Sequence, residues 1–247
     1  MVMTRLEVTG EVAQAFPGLR ITAVVVSEFD GRRPWPEVDA QLTALEASAA
    51  RESGGDPEDD PHIAAWHTAY RAFGTNPRRQ RPSVSALRRR LSRSGQLPRI
   101  NPAVDAYNLV SASYGVPAGA FDLDRVRGDI VIRLADGSES FTPLGEPGTV
   151  EHPHPGEVIY TDAAGVLTRH WNHRDAERTK VTADSEQIVF LLETVDAGAF
   201  VQTLDAAMKS RAGLLSQRSR TVVVHQLTAA DTAVGALAPG PGGLTPA

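Results

Sequence analysis

The 247 residues include no cysteine, which excludes disulfides, thiolate nucleophiles and cysteine-bound zinc or iron–sulfur centres. No apolar run approaches the ~20 residues that a membrane-spanning helix needs. The opening MVMTRLEVTGEV lacks the apolar segment of a secretory signal, so the cytoplasm is the expected compartment and no membrane partner is expected. No P-loop, dinucleotide-binding glycine pattern or G-x-S-x-G elbow occurs, so neither a cofactor nor a serine nucleophile is expected. His152 and His154 stand two apart in HPHPGE. Without a carboxylate or third histidine at fixed spacing, they predict no metal site.

What is present is an ordinary globular composition, 41% hydrophobic and 22% charged, on a chain long enough for a sizeable core. The net charge of −5 is unevenly spread. Between positions 78 and 93 lie Arg78, Arg79, Arg81, Arg88, Arg89, Arg90 and Arg93, with no acidic residue among them. A basic stripe on an otherwise acidic chain suits a polyanion that touches one face. Guanidinium forks fit phosphate oxygens, and no base-reading motif accompanies them, so backbone contact is expected rather than sequence reading. The plain alternative is a solvated helix face paired with acidic neighbours.

Leu19 to Ser27 is an apolar, β-branched run that reads as a buried strand. Helices are expected over 35–50 and from Pro61, with Asp60 as cap and 51–61 as a loop. Pro82 and Ser83 open a short arginine-rich helix, with Ser83 as its expected cap. Strands at 130–134 and 138–141 flank Ala135-Asp136-Gly137, a hairpin signal. A second hairpin is expected from 158–161 and 166–170. A strand at 187–193, a helix at 199–211 and a last strand at 221–225 follow. The pattern predicts an α+β fold of mostly antiparallel sheets packed together with flanking helices. Residues 1–60 are expected as an extension on a main domain over 61–228, and 229–247, rich in Ala, Gly and Pro, as a disordered tail.

The densest stretch is PRINPAVDAYNLVSASYGVPAGAFDLD at 98–124. Asn101 can cap a helix that Pro102 opens and Gly115 closes. Asn101, Asp105 and Asn108 then share one face, as a ligand site or as a buried polar network. A second dense stretch, RHWNHRDAERT from Arg169, follows a strand, where loops often carry function. Trp171 offers a flat aromatic face, Asn172 and Arg174 can hold a carbonyl or carboxylate, and His173 can relay a proton. The alternative is a structural loop whose tryptophan fills the core beside an exposed Arg174–Asp175 pair.

N-P-x-V-D-x-x-N, Y-G-V-P-A-G-A-F-D-L-D and G-D-I-V-I-R-L-A-D-G-S-E-S-F at 128–141 carry a family resemblance. In these blocks the chain resembles the B3/B4 domain, the editing domain of the phenylalanyl-tRNA synthetase beta chain, from about Trp66 to Val195. It resembles still more closely the free-standing proteins made of that domain. The resemblance implies ester hydrolysis of mischarged tRNA by a positioned water. It also implies that Glu193, ending Leu191-Leu192-Glu193, reads a tyrosine hydroxyl. Two departures stand out: Gly119 replaces a histidine of the family pattern, and Arg169 to Arg174 replace its glycine-rich loop. His173 is then the candidate catalytic imidazole.

The expected function is a tRNA-binding, editing-like domain, with tRNA or aminoacyl-tRNA as partner and no DNA. Asn101, Asp105, Asn108, Trp171, Asn172, Arg174 and Glu193 are its candidate substrate residues, and the seven arginines its RNA contacts. Two readings compete with it. One is a non-catalytic module for a free amino acid or small molecule; the other is a partner-binding protein with a vestigial pocket.

Overall fold

The computed structural model describes residues 4–51 and 56–237. In chain order its elements are β1 (Leu6–Val8), α1 (Gly10–Ala15), β2 (Arg20–Ser27), α2 (Pro36–Arg51), α3 (Pro61–Ala72), α4 (Ser83–Ser94), α5 (Pro102–Tyr114), β3 (Ala118–Asp122), β4 (Ile130–Leu134), β5 (Val158–Asp162), β6 (Gly165–Arg169), β7 (Arg174–Asp175), β8 (Ile188–Thr194), α6 (Ala197–Leu215), β9 (Thr221–Thr228) and β10 (Ala233–Val234). They form the expected α+β fold on two sheets. One has four strands in the order β3-β8-β2-β9, and the other six in the order β10-β1-β4-β5-β6-β7. All pairings are antiparallel except β1 with β4.

The four-stranded sheet is covered on both faces, which explains the unbroken apolar run of β2. Ile21, Ala23 and Val25, with Val189 and Leu191 of β8, pack towards the six-stranded sheet and α3. Val24 and Val26, with Phe190 and Leu192, pack against α2, α5 and α6. The period-two alternation of β8 therefore aims Glu193, of the same parity as Leu191, into the space between the sheets.

The helix starts follow their caps. Asp60 accepts from the backbone N–H of His62 at 2.8 Å. Asn101 accepts from that of Val104 at 3.0 Å, and Gly115 ends α5 in the left-handed conformation. Ser83, by contrast, is the first helical residue of α4 and not its cap, a place taken by Pro82.

Three other expectations differ from the structure. The segment 1–60, expected as an extension, supplies interior strands to both sheets: β1 lies between β10 and β4, and β2 between β8 and β9. β4 pairs with β5, not with 138–141. The Glu139 carboxylate accepts from the N–H groups of Asp136 and Gly137 and from Arg133, which folds the chain away from a tight hairpin. Finally, residues 229–237 of the expected disordered tail are ordered. β10 pairs with β1 and Leu237 is buried, while 238–247 lie outside the described residues.

Candidate functional site

A cavity of about 310 Å³ opens at the β3 edge of the four-stranded sheet, in the size range of small-ligand sites. Each wall comes from a different element. α4 contributes Ser83, Ala86, Leu87 and Arg90; α5 contributes Val104, Tyr107, Asn108 and Ser111; β3 contributes Ala118, Gly119 and Phe121. The floor is a cross-strand row in which Tyr160 of β5 pairs with Thr168 of β6, and Thr168 with Asp175 of β7. Trp171, Asn172 and His173 close it from the β6–β7 loop, and Leu191 and Glu193 from β8.

Glu193 is 3% exposed. Its Oε1 accepts from the Tyr160 hydroxyl and from Trp171 Nε1 at 3.0 Å, and its Oε2 from Asn172 Nδ2 at 2.9 Å. Burial outweighs these donors, and with Asp175 nearby the carboxyl is pushed up to about 7. The Glu193 carboxyl is thus occupied by a phenol of the chain itself, that of Tyr160.

The loop that presents these groups is strained and held. His170 and Trp171 have φ of +47° and +65°, a left-handed conformation rarely adopted by residues other than glycine. Glu157 anchors the preceding strand through Arg169 at 2.8 Å and accepts from the His170 N–H at 2.9 Å. The Trp171 N–H donates to the Val158 carbonyl at 2.7 Å. The indole, 0% exposed, packs edge-on against Phe16 at 4.8 Å and Trp66 at 5.2 Å. Trp171 therefore borders the cavity from within the core rather than standing free as a stacking platform.

His173 is hydrogen-bonded through Nδ1 to the Arg81 carbonyl at 2.8 Å. A carbonyl only accepts, so Nδ1 carries the proton and Nε2 of the neutral ring keeps a lone pair. Burial lowers its pKa and favours that neutral form. His173 separates the main cavity from a smaller cleft of about 230 Å³, and Arg174 lines that cleft. Arg174 pairs with Glu146 at 2.6 Å and Glu151 at 3.6 Å, and not with Asp175.

The polar stripe on α5 divides. Asn101 is spent on the cap and on the Val181 carbonyl, and Asp105 accepts from the Ile100 N–H at 2.8 Å. Both fix the helix entry, and neither lines the cavity. Asn108, 9% exposed, does line it. Its amide makes no side-chain hydrogen bond among the described residues.

The arginines divide as well. Arg88 turns inward to the Asp60 carboxylate and donates to the Ala112 carbonyl at 3.1 Å. Arg81 lies 3.9 Å from Glu58. Arg78, Arg79, Arg89, Arg90 and Arg93 enter no ion pair among the described residues, and Arg90 lines the cavity itself.

Sequence reasoning missed Tyr160 and Asp175. The alternation of β5, which carries Val158 and Tyr160 on one face, was a signal for the first. Nothing local marks Asp175, whose place depends on register across three strands. No group of residues able to hold a metal ion occurs among the described residues. None of their helices is long and apolar enough to cross a membrane.

Fold and site together define an α+β, two-sheet domain with a ligand-sized hollow at a sheet edge. Residues 65–235 match the model of the B3/4 domain, and the chain belongs to that family. It is similar to the phenylalanine–tRNA ligase beta subunit of Bifidobacterium longum, 42% identical over 157 residues, 59% of this chain and 16% of that one. The beta subunit of Corynebacterium jeikeium is 37% identical over 94 residues, 38% of this chain and 10% of that one. The chain thus spans a small part of these relatives' length. Among solved structures it is similar to an N-terminal fragment of the Pyrococcus horikoshii phenylalanyl-tRNA synthetase beta subunit. That match has a TM-score of 0.46 and 15% identity, and covers 91% of this chain and 52% of that one.

Proposed function

We propose that this B3/4 domain binds the aminoacylated end of a tRNA, takes the aminoacyl group into the cavity and hydrolyses its ester in trans. The observation that carries the reading is the construction of α4. One helix supplies a cavity wall, and its Arg89, Arg90 and Arg93 have no ion-pair partner among the described residues. Such guanidinium groups suit phosphates, while Asn108 and the apolar side chains of β3 and β8 suit an aminoacyl group; the Asn172 amide is held by Glu193 and by the Tyr70 hydroxyl. Water adds to the ester carbonyl, His173 Nε2 takes a proton from it, and the ribose oxygen leaves protonated. Glu193 serves this site by holding Tyr160, Trp171 and Asn172 in position. The homologous beta subunits are tRNA ligase subunits by name, which supports tRNA as the partner.

Gly119 favours a second reading, a non-catalytic amino-acid binding module. It stands where the resemblance places a histidine, and no atom lies within 4 Å of where its Cβ would be. A deacylation panel separates the two. With several mischarged tRNAs, the wild type should cleave at least one ester above background. His173→Ala should lower that rate by roughly 10²-fold or more, and Arg89/Arg90/Arg93 charge reversal should weaken tRNA binding and its salt dependence. Absence of cleavage, with amino acids still raising the melting temperature, selects the second reading.

A further inference from the structure

Asp175 is the one carboxylate of the cavity floor with room for a partner. Its only side-chain hydrogen bond among the described residues is from Thr168 Oγ1, at 2.8 Å. No arginine or lysine among the described residues pairs with it: the adjacent Arg174 points to Glu146 and Glu151 on the other side of the loop. Glu193, the other carboxyl of the cavity, is taken up by three donors of the chain. Burial without a compensating cation pushes the Asp175 carboxyl up to about 6. A second, independent observation concerns Asn108, nine-tenths buried in the same cavity with its amide unpartnered. Buried polar groups are normally satisfied, so the buried Asn108 and the half-buried Asp175 beside it suit a ligand that brings a cation next to a hydrogen-bonding group.

We propose that Asp175 is a specificity residue that receives the primary ammonium of an α-aminoacyl group, with the Asn108 amide hydrogen-bonding the adjoining carbonyl. The inference deepens the reading of the cavity as an aminoacyl pocket and rests on it. It accounts for an acidic floor beneath a basic wall. The nucleic-acid end of the ligand is an anion and meets Arg90, whereas its aminoacyl end is a cation and meets Asp175. A ligand lacking the free amine, such as an N-blocked aminoacyl group or a plain carboxylic ester, would leave the half-buried carboxylate without a cation and is disfavoured on that account.

The test uses the full chain and no tRNA, so that its failure is distinct from failure of the deacylation assay. The L-amino-acid amides of alanine, valine and phenylalanine, each with a free ammonium and a carbonyl, are titrated calorimetrically. The tightest binder is then compared with its N-acetyl derivative on the wild type, a comparison that needs no variant. The N-acetyl form is expected to bind at least tenfold more weakly. Asp175→Asn, checked for native thermal unfolding, is expected to weaken the amide at least tenfold and to leave the N-acetyl form unchanged. Equal binding of free and acetylated amides, an Asp175→Asn variant with wild-type affinity, or no binding by any of the three amides overturns the proposal.

Discussion

Glu193 shows how one buried carboxyl governs its neighbourhood. It gathers a phenol from β5, an indole and an amide from the loop, and its burial outweighs the ionisation that these donors favour. Its native pKa of about 7 lies above the ordinary 4.5. The native state therefore holds the extra proton, and the associated stability is fully present below pH 4.5 and lost as pH rises through 7. Asp175, raised from 3.8 to about 6, acts in the same direction. His62 and His170, lowered by burial from 6.5 to about 4, act oppositely: their stability is present above pH 6.5 and lost as pH falls through 4. Glu193→Gln should remove much of the loss between pH 5 and 7.5, on the order of 3 kcal/mol for a shift of this size. Urea midpoints at the two pH values report it. A variant with the same pH dependence as the wild type would show that Glu193 is not the group responsible.

At the scale of elements, α4 does two jobs with one kind of side chain. Arg88 clamps the start of α3 through Asp60 and the end of α5 through the Ala112 carbonyl. Its guanidinium lies 2.9 Å from where a Cβ on Gly115 would be. Arg89 and Arg93 make no such contacts among the described residues. Arg88→Ala should destabilise the fold by about 1.5–3 kcal/mol, as for lost hydrogen bonds to a charged group. Arg89→Ala and Arg93→Ala should stay within about 0.5 kcal/mol and weaken only polyanion binding; thermal unfolding and tRNA titration separate the two effects. The arginine-rich pattern was legible as a run of charge. Which arginine is structural was not, because i, i+1 and i+2 neighbours on a helix face different partners and the partners of Arg88 come from two other helices.

At the scale of the molecule, both sheets depend on distant parts of the chain. β1 pairs with β4 and with β10, so the six-stranded sheet is completed by the last described residues. The Val8 N–H donates to the Thr232 carbonyl at 2.8 Å, and the Leu237 N–H to the Thr4 carbonyl at 2.6 Å. Truncation after Thr228 leaves those N-terminal groups unpaired and uncovers Leu6 and Val8, both buried in the intact fold. It should lower the melting temperature by several degrees, roughly 2–4 °C for each 1 kcal/mol lost in a chain of this size. A truncated chain that melts with the wild type would show that β10 contributes nothing to stability.

Local instructions determined much of this protein. The Asn-Pro start and Gly stop of α5, the Asp-Pro start of α3, the apolar run of β2 and the hairpin of β5 and β6 are all readable, because cap, turn and period are short-range properties. The same is true of the family blocks that contain Asn108 and Glu193. Only the tertiary structure decided which polar groups reach the cavity. Asn101 and Asp105 share a stripe with Asn108, yet their hydrogen-bonding capacity is used at the helix entry. Tyr160 and Asp175 enter through strand register, and the phenol that meets Glu193 comes from the chain itself. Alternation along a strand says which residues share a face. What that face meets is set by pairings between segments far apart in the chain, and no local pattern records them.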